Sequence, residues 1–461
     1  MTTHYLTAAL LVVATQVVGA GLTLAVAAPT FDAPDAQYQG RVWANPVTGG
    51  PTLPGSVLDV GGDGFKPGQR VIFSRGIEPL MDEVLTADKA GRIEARYTVP
   101  ADAVPGIHPI VLTTLGPYHA EVLPLKISRA VALVPNRDLA MTQAALVPGL
   151  YQVGYAPNRH ALYVTAATGY PPREASVLLE VDPDTLAIRR QAPVATLPGD
   201  AGAAGAYGLG IDEKNGNLWV TNTRQDAIAV YALADLSLRR QFETGSAIHA
   251  RDVVIDAQRD RVYVSQVTKP EIAVFDARTL APLPAIALPI EGRGKPFSPA
   301  SLRLDPASGR LYTVNLNQPE VAEIDGPAGK VVRRIAVPGA DSAIGVDAAP
   351  DVRRLFVAAQ GTDNLVILDL DSGKVLHDVP VGAGALNVAY EPARRLAYVV
   401  SRGAGTVTAV DADGRIVANL GGVGKANDLV ADAKGRVYVV DKSGGPKDAD
   451  KISRLQWAPT R

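Results

Sequence analysis

From about Tyr151 onward the chain is written in short apolar runs that return at a near-regular interval. The runs are Leu162-Tyr163-Val164-Thr165, Leu218-Trp219-Val220-Thr221, Val262-Tyr263-Val264-Ser265, Leu311-Tyr312-Thr313-Val314, Leu355-Phe356-Val357-Ala358, Ala397-Tyr398-Val399-Val400 and Val437-Tyr438-Val439-Val440. Their aromatic residues lie 56, 44, 49, 44, 42 and 40 residues apart. β-Branched and aromatic residues in runs of this length predict strands. Both faces of each run are apolar. In the second, Leu218 and Val220 point one way and Trp219 the other. Such a strand needs a sheet packed on each side, and the next copy of the phrase supplies one.

Each run is followed by another strand, which ends in Asp at Asp182, Asp276, Asp325, Asp369 and Asp411. Each is preceded by a strand such as 209–212 or 252–256, and an outer strand such as 239–243 follows in most units. Seven four-stranded units at a period of roughly 40–50 residues predict an all-β fold, a seven-bladed β-propeller over 151–461. The last unit has room for three strands only. The ring therefore closes with a strand from elsewhere, and 131–134 and 140–146, within the connecting stretch 129–150, are the candidates.

Ahead of the repeats, residues 55–128 carry strand signals at 57–60, 70–74, 93–99, 107–113 and 120–127. Turn signals separate them, among them Gly61-Gly62-Asp63-Gly64, Lys66-Pro67-Gly68 and Pro105-Gly106. This spacing predicts a small β-sandwich. Residues 29–54, rich in Pro, Gly and Ala, read as a linker with room for one strand. Residues 6–28 are apolar apart from Thr, Gln and Gly and end in Val26-Ala27-Ala28, the pattern of a secretory signal (1–28) removed near Ala28. The mature chain is then expected to be periplasmic or secreted. The run is also long enough to span a bilayer, so an uncleaved anchor is the competing expectation.

Composition narrows the chemistry. The absence of cysteine removes disulfides, thiolate metal sites and a cysteine nucleophile. A net charge of −2 supplies no global field towards nucleic acid or anionic membrane. In a propeller, the loops at the channel mouth form the usual ligand surface, and several polar residues fall there: Tyr207, Arg224, His249, Arg251, Asp252, Asn387, Asn427 and Asp428. They either line a ligand pocket or cap strand ends and satisfy turn backbone. Asp252, Asn387, Asn427 and Asp428 have oxygens suited to a divalent cation, but Arg251 beside them would repel one. No cofactor, metal or catalytic residue is assigned; a metal-dependent, lactonase-like hydrolase is the alternative reading.

Cations occur at both ends of the ring. Arg173, Arg224, Lys269, Arg293, Lys295, Arg402, Lys425, Lys442 and Lys447 fall among acids on the mouth side. Arg159, Arg259, Arg261, Arg310, Arg353, Arg354, Arg394, Arg395 and Arg436 precede the aromatic strands on the other side. They recur in step with the strand-ending Asp residues, so structural ion pairs are expected over a cationic ring for phosphates.

The LYVT and LWVTN phrases, each followed by a strand ending in Asp, resemble the YVTN family of β-propellers. The units at 151–182, 216–231 and 251–276 are similar to its YncE-like periplasmic type. The phrases Gly64-Phe65-Lys66-Pro67-Gly68 and Val99-Pro100-Ala101-Asp102 resemble those of Ig-like modules of bacterial exported proteins. The resemblance implies an exported, non-enzymatic binding or scaffold protein, a monomer without strong membrane interaction after signal cleavage. Its expected partner is a protein or a polyanion, with single-stranded DNA suggested by the family's association with DNA binding.

Overall fold

The computed structural model describes residues 31, 33–169, 174–197, 199, 202–289, 294–443 and 448–458. The leader expected at 1–28 lies outside them. Among the described residues, no helix is long and apolar enough to cross a membrane.

The repeats form seven four-stranded antiparallel sheets in succession. Their first strands are Leu150–Ala156, Ala206–Asp212, Ala250–Asp256, Pro299–Asp305, Ala343–Ala349, Ala385–Glu391 and Ala426–Ala431. Each first strand lies against the first strand of the next sheet, and the seventh lies against the first. The arrangement is propeller-like, with the first strands around an axis. The fourth strand of the seventh sheet comes from far upstream. Leu139–Ala145 pairs antiparallel with Lys451–Trp457 through all seven residues. The other candidate, 131–134, contributes only an isolated bridge from Val134 to Asn419.

The doubly apolar phrase explains the packing. One buried cluster fills each junction between sheets. Leu218 and Val220 enter the cluster shared with the first sheet, and Trp219 enters the one shared with the third. Every phrase aromatic faces the following sheet in this way: Tyr163, Trp219, Tyr263, Tyr312, Phe356, Tyr398 and Tyr438 each sit in the junction ahead of their own sheet. Burial of a large side chain contributes roughly 1.5–3 kcal/mol before entropy is subtracted. Some of the tyrosine hydroxyls find partners across the junction, whereas that of Tyr263 is buried without one. Tyr163 donates to the Leu233 carbonyl at 3.0 Å, and Tyr438 donates to that of Pro183 at 3.2 Å.

The first strands approach one another closely where they carry glycine. A Cβ on Gly208 would lie 1.7 Å from the Arg251 carbonyl oxygen, and one on Gly345 would lie 2.8 Å from Cα of Asn387.

The upstream module has two antiparallel sheets. One is formed by Arg41–Pro46, Val57–Asp63 and Ile93–Thr98. The other is formed by Arg70–Arg75, Gly106–Leu115 and His119–Ile127, with short strands Glu78–Pro79 and Leu85–Thr86 along Arg70–Arg75. They enclose one apolar core containing Leu58, Val71, Phe73 and Leu112. The reading of 29–54 as a linker is corrected at Arg41–Pro46, which is an edge strand of the sandwich in register with Leu58–Asp63. Val42 packs on the core, and the Trp43 ring lies over Gly61. The module touches the fifth sheet through Lys126, whose ammonium donates to the Gln360 carbonyl and to Asp363 Oδ1.

Candidate functional site

The candidate site begins with a backbone irregularity. In every one of the seven sheets, the first strand slips register against the second close to its start. A bulge of this kind inserts one residue and re-aims the side chains around it. In the first three sheets the slip leaves an N–H without its ladder partner. A hydroxyl from the phrase takes it: Gln152 N–H donates to Thr165 Oγ1 (3.1 Å), Gly208 N–H to Thr221 Oγ1 (2.7 Å) and Asp252 N–H to Ser265 Oγ (3.0 Å).

The re-aimed side chains meet across the axis. Gln152 Nε2 donates to Asp252 Oδ1 at 2.6 Å, linking the first sheet to the third. Arg251 Nη2 donates to Asn387 Oδ1 at 3.3 Å, linking the third to the sixth, and Ser301 Oγ donates to the same oxygen from the fourth at 3.3 Å. Asn387 Nδ2 donates to the Asn427 carbonyl (2.7 Å) and to Asp428 Oδ1 (3.3 Å). Asn427 Nδ2 donates to the Tyr151 carbonyl at 2.7 Å, closing the circuit from seventh sheet to first. Five of the eight residues expected at the site, Arg251, Asp252, Asn387, Asn427 and Asp428, thus belong to one network.

The network also fastens neighbouring sheets through their backbones. A first strand is the edge of its sheet, so its outward N–H groups have no ladder partner. Side chains from the preceding sheet accept them. Gln152 Oε1 accepts Leu209 N–H (3.0 Å), Asp252 Oδ2 accepts Leu302 N–H (3.1 Å), and Asp428 Oδ2 accepts Val153 N–H (3.0 Å). Lower on the axis, Asp347 Oδ2 accepts Tyr390 N–H at 2.8 Å.

These positions set the electrostatics. Burial pushes the Asp428 carboxyl up to about 8, with the Asp252 charge adding to the rise and the Val153 N–H opposing it. A carboxyl that holds its proton near neutrality is a poor cation ligand. Among the described residues no group of three or more His, Cys, Asp or Glu is placed to hold a metal.

The other three expected residues lie at the mouth outside the network. Tyr207 is buried and stacked on Tyr151, ring centroids 4.1 Å apart. Lys442 Nζ lies 4.8 Å from the Tyr151 centroid. Arg224 is exposed in a single 3-10 turn, Thr223–Gln225. His249 has a left-handed backbone (φ 44°), and its N–H donates to Asp226 Oδ1 at 2.7 Å. Burial, and then the Arg224 charge, lower its imidazole pKa. Arg402, absent from the expected set, donates through Nη1 to Asn427 Oδ1 at 3.3 Å. Gln152, Tyr151 and Ser301 were also missed. They lie in the bulges, where alternation along the strand no longer indicates direction. Arg173, Arg293 and Lys447 lie outside the described residues.

At the other end of the ring most of the arginines are engaged. Arg310 pairs with Asp325 (3.2 Å), Arg261 with Asp276 (3.5 Å), and Arg436 with both Asp432 and Asp184 (2.6 Å each). Outer-strand arginines reach the turn of the next sheet. Arg240 donates to the Leu280 carbonyl (2.9 Å), and Arg333 to that of Leu370 (2.6 Å). Of the ion pairs expected with the strand-ending aspartates, those of Arg261 and Arg310 are present, while other arginines pair with different acids or with backbone carbonyls and act as clasps between sheets.

No family model matches the chain. It is homologous to YncE. It is 26% identical over 284 residues to the uncharacterized protein YncE of Salmonella typhi, covering 59% of this chain and 76% of that protein. It is 25% identical over 253 residues to YncE of Escherichia coli K12, covering 52% and 67%. Among solved structures it is similar to virginiamycin B lyase from Staphylococcus aureus. The TM-score is 0.55 at 12% identity, over 69% of this chain and 99% of that one. It is also similar to Kuenenia stuttgartiensis hydrazine synthase, with a TM-score of 0.54 at 16% identity over 64% and 93%. At these identities the likeness is one of fold.

Proposed function

We propose that the chain is an exported, non-enzymatic binding protein. In this reading an Ig-like module precedes a seven-bladed β-propeller whose mouth-side loops dock a macromolecular polyanion, single-stranded DNA being the form to test. One observation carries the reading: the acids and amides on the axis are committed to fastening sheet to sheet. Asp252 and Asp428 each accept hydrogen bonds on both carboxylate oxygens from within the protein. Chemistry on the axis would have to break the ring's own fastenings, whereas the mouth loops are open to a large partner. Arg224 and Arg402 are exposed there, and the Tyr151–Tyr207 stack with Lys442 forms a cation-flanked aromatic ledge.

The test is fluorescence anisotropy of a labelled single strand against the full chain, titrated with salt. Neutralising Z phosphates gives a log–log slope of about −0.7Z. Each of Arg224→Glu and Arg402→Glu is expected to weaken binding and shallow that slope. No anisotropy change at about 50 mM salt, or one indifferent to salt, removes the polyanion reading. The enzyme reading is checked by incubating the chain with quinupristin, the compound named with one lyase neighbour. Recovery of intact quinupristin is the expected result.

A further inference from the structure

The two sheets of the upstream module do not close fully over their core. Directly opposite residues of an antiparallel pair share a face, so Leu123 and Leu125 turn inward with their partners Ile110 and His108. Tyr97 turns inward opposite Leu58. Leu58, Phe73 and Ile110 are buried, yet Tyr97, Leu123 and Leu125 are only partly buried. The space they leave is a cleft of about 370 Å3, walled by Val42, Leu58, Phe73, Met81, Tyr97 and Leu123 among others. A second hollow of about 260 Å3 adjoins it along Leu80, Tyr97, Ile110 and Leu125, which line both.

The first hollow is almost wholly apolar. Lys126, at its edge, is occupied with Gln360 and Asp363 of the fifth sheet. The second hollow holds the charge, in Arg75, Asp102 and His108. Arg75 is exposed at the end of its strand, opposite Glu78. Among the described residues its guanidinium makes no ion pair and no side-chain hydrogen bond, whether with Glu78, Asp102 or another acid. His108 is held at the same end by its Nε2–H on the Val104 carbonyl at 2.7 Å. Asp102 is exposed, so solvent and salt screen its charge. An uncommitted guanidinium thus stands at the solvent end of a cleft whose interior is apolar.

We propose that the upstream module binds a medium-chain fatty acid, its acyl chain in the apolar cleft and its carboxylate held by the Arg75 guanidinium. Ligand sites are mostly apolar with a few placed polar groups, and this cleft has that make-up. At about 30 Å3 per water-sized unit, it has room for roughly twelve non-hydrogen atoms, the tail of dodecanoate. The guanidinium fork matches a carboxylate in two parallel hydrogen bonds. A neutral hydrocarbon would leave that fork unused. A peptide would bury backbone polar groups against walls that offer few donors or acceptors. The site lies within the upstream module and does not depend on what the mouth loops bind.

The test is equilibrium dialysis of the full chain against labelled dodecanoate, kept below its micellar concentration. Octanoate, decanoate and dodecyltrimethylammonium serve as competitors. The expected result is saturable, one-to-one binding. Competition by the carboxylates should strengthen roughly fourfold per methylene, the equivalent of about 0.8 kcal/mol for each one buried. Dodecyltrimethylammonium, with the same tail and the opposite charge, should compete roughly tenfold less well than unlabelled dodecanoate, or worse. Arg75→Gln, a change at an exposed side chain, is expected to weaken dodecanoate binding by roughly tenfold or more while circular dichroism remains that of the folded protein. Met81→Glu, which places a charge in the wall of the cleft, is expected to abolish binding under the same check. Absence of saturable dodecanoate binding overturns the proposal. So does competition indifferent to chain length, or equal competition by the ammonium amphiphile. Undiminished binding by Arg75→Gln also overturns it.

Discussion

Asp428 couples the ring to pH in a direction that can be worked out beforehand. Its carboxyl is pushed up to about 8 in the folded protein, against about 3.9 for an exposed aspartate. Between those values the folded state keeps a proton that the unfolded chain has released. The stabilisation is therefore complete below about pH 4 and is lost as pH rises through about 8. At about 1.36 kcal/mol per pKa unit, it amounts to roughly 2.7 kcal/mol at pH 6 and almost nothing at pH 9. Asp428→Asn cannot titrate, so it separates this proton from every other. Urea unfolding of both proteins from pH 6 to 9, at constant ionic strength, is followed by tryptophan fluorescence, to which Trp219, fully buried between the second and third sheets, contributes alongside Trp43 and Trp457. The wild type is expected to lose roughly 2–3 kcal/mol relative to the variant across that range. His249 does not confuse the comparison, because it is present in both proteins and its contribution cancels in the difference. Parallel pH profiles, or a wild type that gains stability as pH rises, refute the argument.

Other outcomes follow from the same contacts. Thr221→Val keeps the shape of the phrase but strands the buried Gly208 N–H. It is expected to cost about 1–3 kcal/mol and to speed hydrogen exchange at Gly208 specifically. A chain starting at residue 130 keeps the closing strand Leu139–Ala145, and one starting at 147 lacks it. Calorimetry should give a sharp melt for the first, and a broad or aggregating one for the second. Lys126→Ala removes the contacts to Gln360 and Asp363 and is expected to loosen the module on the fifth sheet, read as faster proteolysis of the 129–138 stretch and a larger radius of gyration by X-ray scattering.

The doubly apolar phrase was enough to predict sheets packed on both sides, because burial on two faces leaves a local signature in two adjacent residues. Trp219 and Leu218 show it directly. Its period also located the first strands, so that residues such as Asn387 and Asp428 could be expected near the axis. The bulges left no such trace. A one-residue slip reverses which side chains face the axis beyond it, and nothing in Tyr151-Gln152 or Ala300-Ser301 announces where the slip falls. The threonine of the phrase illustrates the same limit. Thr165 and Thr221 read as strand formers, yet each hydroxyl serves a bulge on the neighbouring strand. Long-range pairing was only half legible. The sequence required a closing strand and offered two, and the choice of Leu139–Ala145 over 131–134 depends on a partner more than three hundred residues downstream. The arginine clasps, such as Arg240 on the Leu280 carbonyl, were legible only as charges, because their acceptors are backbone groups of another sheet.

The closing strand also sets a timetable. Leu139–Ala145 leaves the ribosome long before Lys451–Trp457 exists, so every other sheet can form while this one waits. During that interval its backbone is an open edge that any extended chain, including another copy, can pair with. The entropy of bringing its two parts together rises only slowly with the length between them, but the delay grows in proportion to that length. The vulnerable species in the life of this protein is therefore a nearly complete ring still lacking Lys451–Trp457. A stop codon just before Lys451 should consequently be more damaging to yield than a substitution in the interior.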